Sequence, residues 1–167
     1  FFLVHLACFA AIWTGVAWGD VALCVALYWI RMFGISAGYH RYFSHKTYQM
    51  GRLSQFLMAL LAQTSAQKGA LWWAAHHRDH HRYSDQPADI HSVKQQGFWY
   101  SHVGWILTSA TERTKWEKIK DFGRFPELRW LNQYHLVPPV LLGFAVWLFA
   151  GWSGLVVGFM WSTVLLW

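Results

Sequence analysis

Four of the ten histidines of this 167-residue chain fall within six positions, in Ala75-His76-His77-Arg78-Asp79-His80-His81-Arg82. His77, His80 and His81 stand at i, i+3 and i+4, which puts side chains on one face of a helix. Neutral imidazole nitrogens at that spacing converge on a metal ion without distorting the backbone. His76 pairs with His80 at i+4, and spacing alone does not exclude it. A second pair, His40 and His45, closes the stretch Phe33-Gly34-Ile35-Ser36-Ala37-Gly38-Tyr39-His40-Arg41-Tyr42-Phe43-Ser44-His45. On a straight α-helix five residues turn about 140° from a common face, so both imidazoles reach one site only if the helix ends or bends between them. Carboxylate-rich dimetal sites need Glu-x-x-His pairs, and none of Glu112, Glu117 and Glu127 has a histidine three residues later. An all-imidazole site of more than one metal is what remains. Gly34-Ile35-Ser36-Ala37-Gly38 matches a nucleophile elbow, but it lies inside a hydrophobic helix with no strand before it, which rules out that reading.

The elements that must carry these residues are apolar. Hydrophobic residues make up 55% and aromatic residues 19% of the chain, with thirteen Trp, too apolar for a soluble domain of this size. Phe1 to Trp18 is apolar apart from His5 and Thr14, and Val21 to Tyr39 apart from Arg31 and Ser36. Each approaches the roughly 20 residues that cross a bilayer as a helix. A tight turn is expected at Gly19-Asp20. Leu136 to Ala150 and Trp152 to Trp167 form a second pair around Gly151. The sequence predicts an all-α integral membrane protein of two transmembrane hairpins, with four spans at about 1–18, 21–39, 136–150 and 152–167. A cytoplasmic and interfacial helical cap over 40–135 carries the histidines.

The formal charge is +6, and every Lys and Arg except Arg31 falls between Arg41 and Arg129. The positive-inside rule sets that segment in the cytoplasm and both short turns on the far side. Such charge marks topology and attraction to anionic headgroups; nucleic acid is not an expected partner. Leu53 to Trp73, apolar but broken by Gln55, Gln63, Thr64, Ser65, Gln67 and Lys68, is expected to lie as a helix in or just under the interface. Crossing the bilayer there would leave the two histidine clusters on opposite sides. A solvated polar face is the plain alternative for the clusters, but five spaced histidines on one side of a membrane argue against it. His5 and His135 read as packing or interface residues. His91 and His102 read as structural residues or as supports behind a metal site. Cys8 and Cys24 are too few and too far apart for a zinc-thiolate site.

On these residues the chain resembles a known family. "GISAGYHRYFSH", "WWAAHHRDHHRYSD", "ADIHS" and "GFWYSHVGWIL" are similar to the first two histidine boxes and intervening signatures of integral-membrane fatty acid desaturases, in the bacterial form of the Δ9 acyl-CoA (stearoyl-CoA desaturase-like) branch. The similarity runs from about Tyr28 to the end. By that resemblance His40 and His45 form the first box and His77, His80 and His81 the second, all five as ligands of two irons. His76 then falls just outside the ligand set and, with His91, stands behind it. The family's third box does not follow before Trp167, so the chain reads as one desaturase domain, 1–167, cut at both ends, with further ligands expected outside it.

The resemblance implies O2-dependent introduction of a cis double bond into a saturated acyl chain. The electrons would come from ferredoxin, rubredoxin or cytochrome b5, at a bacterial inner membrane with the boxes facing the cytoplasm. Saturated C–H bonds are too strong for side-chain acids and bases, which is why a metal oxidant is needed. Trp73 and Lys68 beside the second box are expected to meet the substrate. Cys24, Tyr28 and Trp29, about 16–24 Å down the helix from His40, are expected to floor its tunnel. Animal acyl-CoA members carry Arg-Asp where this chain has Ala75-His76, and basic residues where it has Thr108-Ser109. The acyl carrier is therefore coenzyme A or a membrane lipid, with Lys68, Arg78, Lys94, Arg113 and Lys115 as candidate phosphate contacts. A related histidine-box hydroxylase and a non-enzymatic membrane metal-binding or transport protein are the rival readings.

Overall fold

The computed structural model describes all of residues 1–167, and its regular structure is entirely helical. Helix α1 spans Phe2–Thr14 and α2 spans Trp18–Ser44. The amphipathic α3 (Arg52–Gln63) and the histidine-bearing α4 (Ala70–Tyr83) follow. Short helical turns lead to α5 (Pro126–Gln133), which begins with a proline that needs no intrahelical partner for its nitrogen. The last apolar stretch, Val137–Leu166, is interrupted at Gly151 (φ 67°, ψ −163°), giving α6 (residues 137–150) and α7 (residues 152–166). Trp18–Ser44 is long and apolar enough to cross a membrane, and Val137–Leu166 has that length and apolarity only when its two arms on either side of Gly151 are taken together.

Two sharp turns fold the apolar helices into hairpins. The first is not at Gly19-Asp20 as expected: α1 ends at Gly15 (φ 76°, ψ 176°), a conformation open to glycine, and α2 begins at Trp18. Asp20 lies inside α2, where its Oδ2 accepts from the Ala17 amide at 3.3 Å and meets the positive end of the helix dipole. At Gly151 α6 reverses onto α7: a Cβ on Gly143 would lie 3.1 Å from the Phe159 ring, although sixteen residues of straight helix would separate them by about 24 Å. The Trp161 indole donates to the Cys8 carbonyl at 3.1 Å, and Phe1 stacks on Trp167, tying α1 to α7. The outer faces leave Trp13, Trp18 and Phe149 more than 80% exposed, an apolar surface of the kind that meets a membrane or another protein.

Arg31, mid-way along α2, is fully buried. Its guanidinium donates to the Thr64 carbonyl (3.2 Å), Ser162 Oγ (2.9 Å) and Thr163 Oγ1 (2.7 Å) and lies 5.0 Å from the Phe159 ring centre. It joins α2, α7 and the end of α3 with no carboxylate among its partners.

The expected interfacial helix over Leu53–Trp73 is instead two helices. The chain breaks at 64–69, where the polar residues cluster and Ala66 and Lys68 adopt positive φ (60° and 69°). Its α3 half packs tightly on α2, because Gly34 leaves room for the Ala62 backbone, 2.9 Å from where a Cβ would sit. Gln63 and Asn132, from α3 and α5, then cap α4: Gln63 Oε1 accepts from the Ala70 amide (3.0 Å) and Asn132 Oδ1 from the Trp72 amide (2.8 Å). Tyr39, Phe43, Ala59, Ala62, Leu71, Ile119, Leu128 and Leu131 form the main buried core beneath these helices.

Candidate metal centre

The end of α2 solves the angular problem of the first box by its winding. Residues Gly34–Ser44 form a π-helix, and the His45 amide bonds the His40 carbonyl five residues back at 3.1 Å. The wider turn returns the fifth residue towards the same side, and the helix ends at Ser44 with His45 as its C-cap, so the expected helix end does fall between the two histidines. Their rings lie 4.5 Å apart. On α4, His77 and His81 share a face at i, i+4, and their Nε2 atoms are 2.9 Å apart; His81 Nε2 is also 3.2 Å from His45 Nε2.

His40, His45, His77 and His81 thus bring one ring nitrogen each within 4.8 Å of one another. Two imidazoles bound to one ion by bonds of about 2.0–2.1 Å at 90–109° have their nitrogens about 2.8–3.4 Å apart, and the His81–His77 (2.9 Å) and His81–His45 (3.2 Å) separations fall in that range. Burial pushes the His77 imidazole down to about 3, and His81, His40, His80 and His45 push the same way. His81 is lowered by burial and by its neighbours His45 and His80. Neutral rings with free lone pairs are the form that ligates metal.

His80 does not join that group. One helical position before His81, it points to a second cluster with Asp89 and His91. Its Nδ1 lies 2.9 Å from Asp89 Oδ1, which fixes the ring and leaves Nε2 free. Asp89 is 1% exposed; burial raises its pKa, but the His80 ring and the Asp85 and His91 amides outweigh that and hold it low. His91 is stacked between His80 (4.1 Å) and Trp105 (4.7 Å). His76 points away into the core, fully buried, with Nδ1 on the Trp72 carbonyl at 2.9 Å and no protein partner for Nε2.

A cavity of about 610 Å³ reaches His77, and Lys68, Trp73, His91, His102 and Trp105 help to line it. Trp73 stacks on His77 at 4.5 Å. Through Phe1, Ala66, Leu136 and Trp167 this cavity adjoins an apolar groove of similar size along α6 and α7. Lys68 and Trp73, the residues expected to meet the substrate, both line this cavity. Cys24 and Tyr28 line neither space: Cys24 is buried in helix packing and Tyr28 lies edge-on to Trp29. The expected phosphate contacts Arg78 and Lys115 are engaged within the protein, by Asp121 and Asp79. Asp89 and Asp121 escaped the sequence reading; the one available signal was Asp89 two residues before His91 in "ADIHS".

The chain is thus an all-helical apolar protein that gathers imidazoles able to hold a metal at the end of a helix long enough to cross a membrane. The fatty acid desaturase family model matches residues 4–167, and the chain belongs to that family. It is 32% identical over 162 residues to the sn-1 stearoyl-lipid 9-desaturase of Anabaena variabilis, covering 95% of this chain and 59% of that protein. It is equally similar, 32% over 157 residues, to the sn-2 palmitoyl-lipid 9-desaturase of Nostoc sp. (strain 36), covering 90% and 55%. The acyl-CoA Delta(11) desaturase of Spodoptera littoralis is 36% identical over 125 residues, covering 72% and 37%. The chain spans little more than half the length of the first two.

Proposed function

We propose that this chain is the histidine-box portion of an O2-dependent diiron fatty acyl desaturase that introduces a cis double bond, at Δ9, into a saturated chain carried on a lipid or coenzyme A. The observation that carries this reading is the convergence of four imidazoles within 4.8 Å beside an apolar cavity of about 610 Å³. The names of the Anabaena and Nostoc relatives support the Δ9 position.

His40, His45, His77 and His81 would hold one iron. His80, oriented by Asp89 and flanked by His91, would contribute to the second, with further donors beyond this cluster. Bound iron supplies the O2-driven oxidation that side chains cannot perform. The chain's own part is to lay the acyl segment along Trp73 and His77 and to keep bulk water from it. The electron donor would be a ferredoxin, rubredoxin or cytochrome b5. Lipid profiling of a desaturase-deficient bacterial host expressing the intact protein tests this. A new Δ9 cis monounsaturated acid supports the reading; hydroxylated chains, or no change with iron bound, would overturn it.

We further infer that α1, α2, α6 and α7 cross a bacterial inner membrane as two hairpins, with the histidines on the cytoplasmic side. Thirteen of the fourteen Lys and Arg lie between Arg41 and Arg129, which supports that orientation. Cysteines introduced at exposed Lys94 and Trp152 are expected to react with an impermeant thiol reagent from opposite faces, Lys94→Cys only in inverted vesicles. Labelling of both from one face would refute the topology.

A further inference from the structure

Inside the second box, between His77 and His80, stand Arg78 and Asp79, adjacent and opposite in charge. Both are fastened to one short segment, residues 115–121. Asp79 takes Lys115 Nζ at 2.8 Å and Lys118 Nζ at 3.0 Å. Arg78 commits its whole fork: Nε donates to the Ser44 carbonyl (3.2 Å), Nη1 to the Lys118 carbonyl (2.7 Å) and Asp121 Oδ1 (3.1 Å), and Nη2 to the Phe43 carbonyl (2.7 Å) and Asp121 Oδ2 (2.9 Å).

Phe43 and Ser44 are the last two residues before His45, and no backbone amide reaches either carbonyl. They are the orphan acceptors that any helix leaves at its C-terminus. A guanidinium from one histidine-bearing helix therefore caps the other. Lys46, on the far side of His45, has φ 53° and places Nζ 3.1 Å from the same Asp121. The Arg78 and Asp121 side chains are only 20% and 32% exposed, so their bidentate pairing is partly shielded from water.

We propose that Arg78, anchored by Asp121, is the positioning residue that holds His45 in register with His77 and His81. The proposal rests on the reading of those histidines as metal ligands. Planarity matters as much as charge, because a lysine ammonium, with three donors, cannot serve three carbonyls and both carboxylate oxygens.

The test uses the intact protein stripped of metal, with Co2+ alone as the probe and amide hydrogen exchange as a metal-free measurement. In Arg78→Gln, Co2+ affinity is expected to fall about 10–100-fold, as when a group supporting a ligand is lost. Exchange at Lys46 and Thr47 should accelerate on the order of tenfold, matching the loss of charge-assisted bonds. Helix content should be unchanged. Arg78→Lys should stay close to Arg78→Gln in both measurements, and the Co2+ ligand-field spectrum of both should shift towards that of His45→Ala.

Wild-type affinity and exchange in Arg78→Gln would overturn the proposal, and so would full rescue by lysine. Asp121→Asn leaves the carbonyl contacts in place and decides the matter if Arg78→Gln does not fold: a smaller loss of affinity, roughly three- to tenfold, is expected, and wild-type affinity would overturn it. Failure of wild type to bind Co2+, with exchange at residues 46–47 still released by Arg78→Gln, would sink the metal reading and leave the fastening of the two helices standing.

Discussion

Replacing His81 with alanine is expected to abolish tight metal binding while leaving the helices in place. Its Nε2 is the central atom of the cluster, 2.9 Å from that of His77 and 3.2 Å from that of His45, so no other single change removes as many close nitrogen neighbours. The His81 side chain is exposed and contributes nothing to the core, so its removal leaves no cavity. Groups that merely support a ligand cost 10–100-fold in affinity, and losing a ligand should exceed about 100-fold. Co2+ titration of the intact protein, with helix content followed by circular dichroism, measures both. His5→Ala, far along the chain against Phe1 and Trp167, should bind as wild type. Undiminished affinity in His81→Ala would remove the basis for the four-histidine site.

Gly69→Ala is the second large expected effect, and it falls on stability. A Cβ at residue 69 would lie 2.7 Å from Asn132 Cγ and 2.8 Å from Asn132 Cα. The second contact is backbone, so a change of rotamer cannot relieve it. Moving α5 away would also withdraw the Asn132 amide that caps α4 at Trp72. Overpacking of this kind costs about 1–3 kcal/mol, with the lost cap adding about 1. Thermal unfolding in detergent should show a clear fall in midpoint. A midpoint within error of wild type would mean that α4 and α5 are not packed this closely.

The apolar helices and the histidine clusters could be read from the chain because both depend on local pattern: long uncharged runs for the former, i, i+4 spacing for the latter. What could not be read depended on winding and on partners distant in sequence. The π-turns of Gly34–Ser44 obey no hydrophobic period that distinguishes them from α-turns, so the helix end before His45 was legible but the winding that helps bring it beside His40 was not. The i, i+3, i+4 pattern grouped His77, His80 and His81. Yet neighbouring positions 80 and 81 differ by about 100° around the axis, enough to send His80 to Asp89. Asp20 looked like a turn residue and is a helix-capping one. Arg78 looked free for phosphate, and only the fold reveals that residues 43, 44, 118 and 121 occupy it.

The buried Arg31 sets an order of events during synthesis. Its hydroxyl partners Ser162 and Thr163 follow 131 and 132 residues later. At roughly 5–20 residues per second, α2 leaves the ribosome on the order of ten seconds before those hydroxyls exist. Through that interval the guanidinium is without the two hydroxyls that hold it in the finished fold. The second helix therefore takes its final seat only when the last one arrives, and α7 acts as the latch that closes over its one buried cation.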